Sequence, residues 1–152
     1  MTLILDFELE YQKGIRLCWS AVATSIEKFY WPNKKEDQIE FATRIHGTVY
    51  DKFCDPVKAL SKKGLFYSSF ERPLNKQEVI EELSQGHPIV ACMRQFVGWH
   101  LVVIYGLNEL GELLIADPAT GLSAYMIENF TQTYEKYHHW THTYKVRPQE
   151  IT

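Results

Sequence analysis

The chain has 152 residues, 45% of them hydrophobic and 23% charged, a size that supports one sizeable core and not two. Its formal net charge is -3 and its basic residues form only short pairs such as Lys34-Lys35 and Lys62-Lys63, so no nucleic-acid partner is expected. Three cysteines, Cys18, Cys54 and Cys92, are an odd number without framework spacing, which argues against a disulfide scaffold and for a reducing compartment.

The first residues carry no basic region and no apolar run long enough for a signal peptide. No stretch reaches bilayer-spanning length. The expectation is a cytoplasmic protein, or one exported without a classical signal, with no membrane partner. Leu3 to Phe7 reads as a short edge strand or ordered arm, and Gln12 to Gly14 as a loop. Trp19, Val22, Ala23, Ile26, Phe29 and Tyr30 then fall on one helical stripe, which Trp31-Pro32-Asn33 stops because a residue before proline leaves the α region. A second helix is expected over Glu36 to Ile45, ended by Gly47, and a third after Asp55-Pro56, running Val57 to Lys63. Leu65 to Phe70 reads as extended. A fourth helix, Lys76 to Gln85, has Val79, Ile80 and Leu83 on one face.

From there the period changes. Ile89 to Met93, His100 to Gly106 and Leu113 to Ala116 are continuous apolar runs, the pattern of strands buried on both faces, and Asn108 to Gly111 reads as a hairpin turn joining the last two. Gly121 to Tyr125 adds a short strand, Met126 to Tyr137 a final helix or irregular crossing, and Trp140 to Val146 alternates like a half-exposed strand. The aromatic residues Phe96, Trp99, Tyr105 and Trp140 are assigned mostly to the core. Helices followed by mostly antiparallel strands make a single α+β domain over residues 1–152, a helical half packed on a sheet half with a cleft between them.

Cys18 opens the first helix, where unpaired backbone N–H groups and the positive end of the dipole favour an anion. That is the setting of a reactive thiolate. Six residues upstream, Gln12 could donate its amide to a developing oxyanion. His100 starts one strand of the hairpin and Asp117 closes the other; counting inward from the turn brings them within a residue or two of register. The three together fit a Cys–His–Asp arrangement with Gln12 as oxyanion donor. Gly98 would let a substrate backbone approach, and Trp99 would shield the ion pair from water. His138, His139 and His142 could place an i, i+4 pair if helical, but the strand-like alternation over Trp140 to Val146 breaks that spacing, so no metal site is expected.

The run Gln12-Lys-Gly-Ile-Arg-Leu-Cys18-Trp19-Ser-Ala resembles the active-site opening of papain-like cysteine peptidases. Trp99-His100-Leu-Val-Val-Ile-Tyr-Gly106 and Ile115-Ala-Asp117-Pro118 are similar to the histidine and acid motifs of the small bacterial branch, the C39-like and C70-like peptidases. The resemblance spans Gln12 to Pro118. It implies Cys18 as nucleophile, His100 as general base and then acid, Asp117 as the orienter of the imidazole, and Gln12 with the Cys18 backbone N–H as the oxyanion hole. Trp19, Gly98 and Trp99 would line the substrate site, and no cofactor is called for. It departs from the common pattern in placing Trp99, not glycine, directly before the histidine. The expected activity is hydrolysis of peptide or isopeptide bonds in a peptide or protein substrate. The same residues could instead run amide transfer or deamidation, or the fold could serve as an inactive binding module.

Overall fold

The computed structural model describes residues 2–149; Met1 and residues 150–152 of the expected domain lie outside them. In chain order the elements are β1 (Leu3–Ile4), α1 (Cys18–Tyr30), α2 (Gln38–His46), α3 (Pro56–Lys62), β2 (Phe66–Phe70), α4 (Lys76–Ser84), β3 (Ile89–Gln95), β4 (Gly98–Leu107), β5 (Leu113–Asp117), β6 (Gly121–Tyr125), α5 (Ile127–Thr133) and β7 (His139–Val146). Local chemistry sets the helix ends. The Asp37 side chain accepts from the Glu40 backbone N–H while the Glu40 carboxylate accepts from that of Asp37, the reciprocal bonds of a capping box, and Asn75 and Glu78 repeat the device at α4.

The sheet runs β2-β7-β3-β4-β5-β6, with β1 added beside β4, and every pairing is antiparallel. Both faces are covered. Trp19, Val22, Ala23 and Ile26 of α1 pack with Phe41 of α2, Leu60 of α3 and the sheet residues Val90, Cys92, Leu101 and Val103. On the other face Val79 and Leu83 of α4 and Phe130 of α5 meet Ile89, Ala91, Met93, Val102 and Ile104. Residues of β3 and β4 thus alternate between two cores, which is why their sequences read as unbroken apolar runs. The expected helical half holds for α1–α3; α4 and α5 form a second layer beyond the sheet.

Two expectations need correction. Phe96 is fully exposed, not core, because Gln95 pairs with Gly98 and leaves Phe96 and Val97 as the tip of a two-residue hairpin turn. Strand β7 lies between β2 and β3 with Trp140, Thr143, Tyr144 and Val146 buried. Its alternation breaks at Thr141, an extra residue opposite the Cys92/Met93 step, and a bulge of this kind reverses which face the following side chains take.

The helical layer is also tied by charge. Lys63, its side chain wholly buried, donates from Nζ to Glu27 at 2.8 Å and Glu36 at 3.0 Å and sits over the Phe41 ring at 4.2 Å. Hydrogen bonding from Arg44 in the first place, and from Lys63, holds the Glu36 carboxyl at about 2 despite partial burial.

Candidate active site

Asp117 and His100 meet because of an irregularity in the hairpin. Leu107 pairs with Leu113 and Gly106 with Leu114, but the next pairs are Ile104 with Ile115 and Val103 with Ala116. Tyr105 is the extra residue. Continuing the ladder puts Asp117 opposite Val102, two residues from His100 and on the same face. Without the bulge Asp117 would lie opposite Val103 and point to the other side. A side chain at Gly106, beside the bulge, would have its Cβ 3.1 Å from the Leu3 carbonyl oxygen, so the close pairing of β1 favours glycine there.

The resulting pair is short and largely buried. His100 Nε2 lies 2.6 Å from Asp117 Oδ1. The Ala119 N–H donates to the same oxygen at 2.8 Å, and the Tyr134 hydroxyl donates to Oδ2 at 2.6 Å. Burial disfavours the imidazolium, but the hydrogen bond to Asp117, reinforced by the Cys18 sulfur, overcomes it and pushes His100 up to about 9. Burial likewise works against the Asp117 carboxylate, and the His100, Tyr134 and Ala119 donors overcome it, holding the acid below its ordinary value. Because Nε2 is committed to the carboxylate, Nδ1 is the nitrogen left for the thiol.

Cys18 begins α1, as its position in the sequence requires. Leu17, the N-cap, supplies no side-chain bond, so the first helical N–H groups are not claimed by a capping oxygen. Cys18 is only 2% exposed, yet it opens onto a cavity of about 480 Å³ that Gln12, His100, Asp117, Gly98 and Trp99 also line. Burial pushes the thiols of Cys54 and Cys92 up, and neither residue lines this cavity.

Gln12 reaches the site through its backbone, whose N–H donates to the Pro118 carbonyl at 2.8 Å, immediately after Asp117. Its side-chain Nε2 donates to the carbonyls of Gly14 at 2.9 Å and Ile15 at 3.3 Å. Gly98, with φ +123 and open space where a Cβ would stand, and Trp99, whose ring lies 5.3 Å from that of Phe53, are on the cavity wall. Trp19 is not. It has no exposed surface, its ring packs edge-on to Phe41 and His46, and its Nε1–H donates to the Lys52 carbonyl at 2.8 Å. The helical turn that aims Cys18 at the cleft rotates its neighbour into the core, so Trp19 braces the helix start and is not on the cavity wall.

Two residues that the sequence did not single out for this role join the site. Tyr134 is one, 1% exposed and bonded to Asp117. His138 is the other, its ring centre 6.5 Å from that of His100; burial first, and then the His100 charge, lower its pKa. Its partners in the histidine cluster, His139 and His142, are on β7. Among the described residues no group of three His, Cys, Asp or Glu side chains is placed to hold a metal ion, and no helix is long and apolar enough to cross a membrane.

A thiol, an imidazole and a carboxylate in one cleft are the groups of a cysteine hydrolase. A family model described as papain-like cysteine protease AvrRpt2, peptidase family C70, matches residues 2–135. The chain belongs to this family. As a papain-like cysteine protease it is also similar in structure to the peptidase domain of Streptococcus ComA, a bifunctional ABC transporter involved in a quorum-sensing pathway. The TM-score is 0.69 at 20% identity, over 94% of this chain and 99% of that one. Among curated protein sequences none matches. The C70 match ends one residue after Tyr134, so it contains every residue of the cleft described above except His138.

Proposed function

We propose that this protease hydrolyses peptide bonds through a Cys18–His100–Asp117 triad and a thioester intermediate. The observation that carries the reading is the 2.6 Å bond from His100 Nε2 to the buried Asp117 carboxylate, which leaves the other ring nitrogen for the sulfur. The Cys18 thiolate attacks the scissile carbonyl, forming a C–S bond. The oxyanion is held by the Cys18 backbone N–H and the Gln12 amide. Collapse breaks the C–N bond as His100 passes its Nδ1 proton to the departing amine. Water then attacks the thioester while His100 takes its proton, the C–S bond breaks, and the carboxylic acid leaves with the thiol restored. Asp117 stays ionised throughout and steadies the ring.

In this reading the chain works as one domain on a peptide or protein substrate and needs no cofactor. Its three cysteines, all free thiols, support work in a reducing compartment such as the cytoplasm. Rapid acid quench of a turnover mixture, followed by intact mass measurement, tests the mechanism. A species heavier by the acyl half of the substrate is expected, absent in Cys18→Ala, with the free acid as product. Turnover without that species, or a product formed mainly by transfer to an added amine, would contradict it.

A further inference from the structure

The loop between Gln12 and the helix start is pinned from a distant part of the chain. The Arg16 N–H donates to Asp51 Oδ1 at 2.8 Å and the Ile15 N–H to Oδ2 at 3.3 Å, so both carboxylate oxygens face the same short stretch of backbone. Gly14 makes this possible: a Cβ there would stand 2.8 Å from the Asp51 carboxyl carbon and from Oδ1. The carbonyls of that stretch are the ones that take the Gln12 amide, Gly14 at 2.9 Å and Ile15 at 3.3 Å. Gln12 Oε1, by contrast, is buried and has no partner among the described residues. Those two carbonyls are therefore the hydrogen-bond partners that set the direction of the amide among the described residues. The next residue after Asp51, Lys52, accepts from Trp19 Nε1 at 2.8 Å, fastening the same segment to the first turn of α1.

We propose that Asp51 is a positioning residue for the oxyanion hole: its carboxylate fixes the Gly14–Arg16 backbone, and that backbone aims the Gln12 amide. The inference rests on the catalytic reading above and extends it to a residue outside the cleft. With Asp51 in place, the Gly14 bond holds the amide, and the longer Ile15 contact is the hydrogen that turns to the oxyanion. Asparagine at 51 keeps the shape but can offer only one acceptor oxygen, and it sets an NH₂ group against a backbone N–H.

The test separates acyl transfer from simple alkylation on the full chain. Attack of Cys18 on iodoacetamide needs the imidazole but builds no tetrahedral oxyanion, so it reports the thiol–His100 pair without the hole. For Asp51→Asn the expected result is a fall in kcat of about 10- to 100-fold, bounded by what loss of a whole oxyanion donor removes. KM should stay within about threefold, and alkylation at Cys18, read by peptide mapping, within about twofold. In a Gln12→Ala background the same change should cost less than about threefold more, because residues acting through one another are not additive. Gly14→Ala, which presses on the carboxylate from the other side, should reproduce the pattern. Parallel loss of alkylation and turnover, a full further loss on Gln12→Ala, or unchanged kcat would each overturn the proposal. A wild-type chain that neither hydrolyses peptides nor alkylates Cys18 faster than Cys54 would bring down the catalytic reading itself, a different result from any of these.

Discussion

Two buried charge clusters sit on opposite errands in this molecule. Around Lys63 the ammonium is enclosed by Glu27, Glu36 and the face of Phe41, and its acidic partners are tied in turn, Glu36 by Arg44. Around His100 the carboxylate side is equally closed, with Asp117 accepting from the imidazole, Tyr134 and Ala119, but the ring lines an open cavity that the Cys18 thiol also lines. The first cluster encloses the ammonium among its ion pairs and ties α1 and the approach to α2 to the end of α3. The second has one nitrogen left over. Both carry the desolvation cost of buried charge, and what distinguishes the second is that its imidazole lines a cleft together with a thiol.

The comparison breaks most visibly at Cys18. Cys18→Ala should abolish turnover in a peptide-hydrolysis assay and lower the thermal midpoint only modestly, since it removes one sulfur atom from a buried position. Gln12→Ala should lower kcat by about 10²–10³, measured against an unaltered Cys18 alkylation rate. Lys63→Ala should do the reverse. Removing one partner of a buried pair costs about 3–5 kcal/mol, seen as a lower denaturation midpoint, while kcat of the folded fraction stays at the wild-type level.

The sharper probe is pH. In the proposed mechanism the His100 proton serves the ion pair and the leaving amine, and the raised value of about 9 predicts that kcat/KM falls as pH rises through 9 and not near 6.5. In Asp117→Asn the alkaline limb should move down toward the ordinary histidine range, because the bond that raises it is weakened. Smallest is Tyr134→Phe, which removes one of the three donors to Asp117. About a tenfold fall in kcat is expected, as for one hydrogen bond to a charged group, with the alkaline limb in place.

Much of this was legible in the sequence where local rules decide. Pro32, Gly47, Asp55-Pro56 and Asn75 punctuate the chain with residues that only suit helix ends, and the apolar runs at Ile89 and His100 declared strands buried twice over. The placement of three groups was legible for the same reason: Cys18 opens a helix, Asp117 ends β5 and His100 lies two residues inside the start of β4. What was hidden is non-local. The bulge at Tyr105 that puts Asp117 on the face of His100 leaves no mark in the alternation of an all-apolar strand. Tyr134 reaches Asp117 only through the crossing of α5, Trp19 is turned inward by the docking of α2, and Asp51 contacts a loop 35 residues earlier. Phe96 is exposed because a two-residue hairpin turn carries it, against its own hydrophobicity.

The most direct measurement is the rate at which a peptidyl vinyl sulfone labels each cysteine in the wild-type chain and in His100→Ala. A base-activated thiol predicts fast labelling of Cys18 alone, slowed by orders of magnitude when the imidazole is removed, with Cys54 and Cys92 slow in both. Equal labelling of Cys18 in the two proteins would contradict the account.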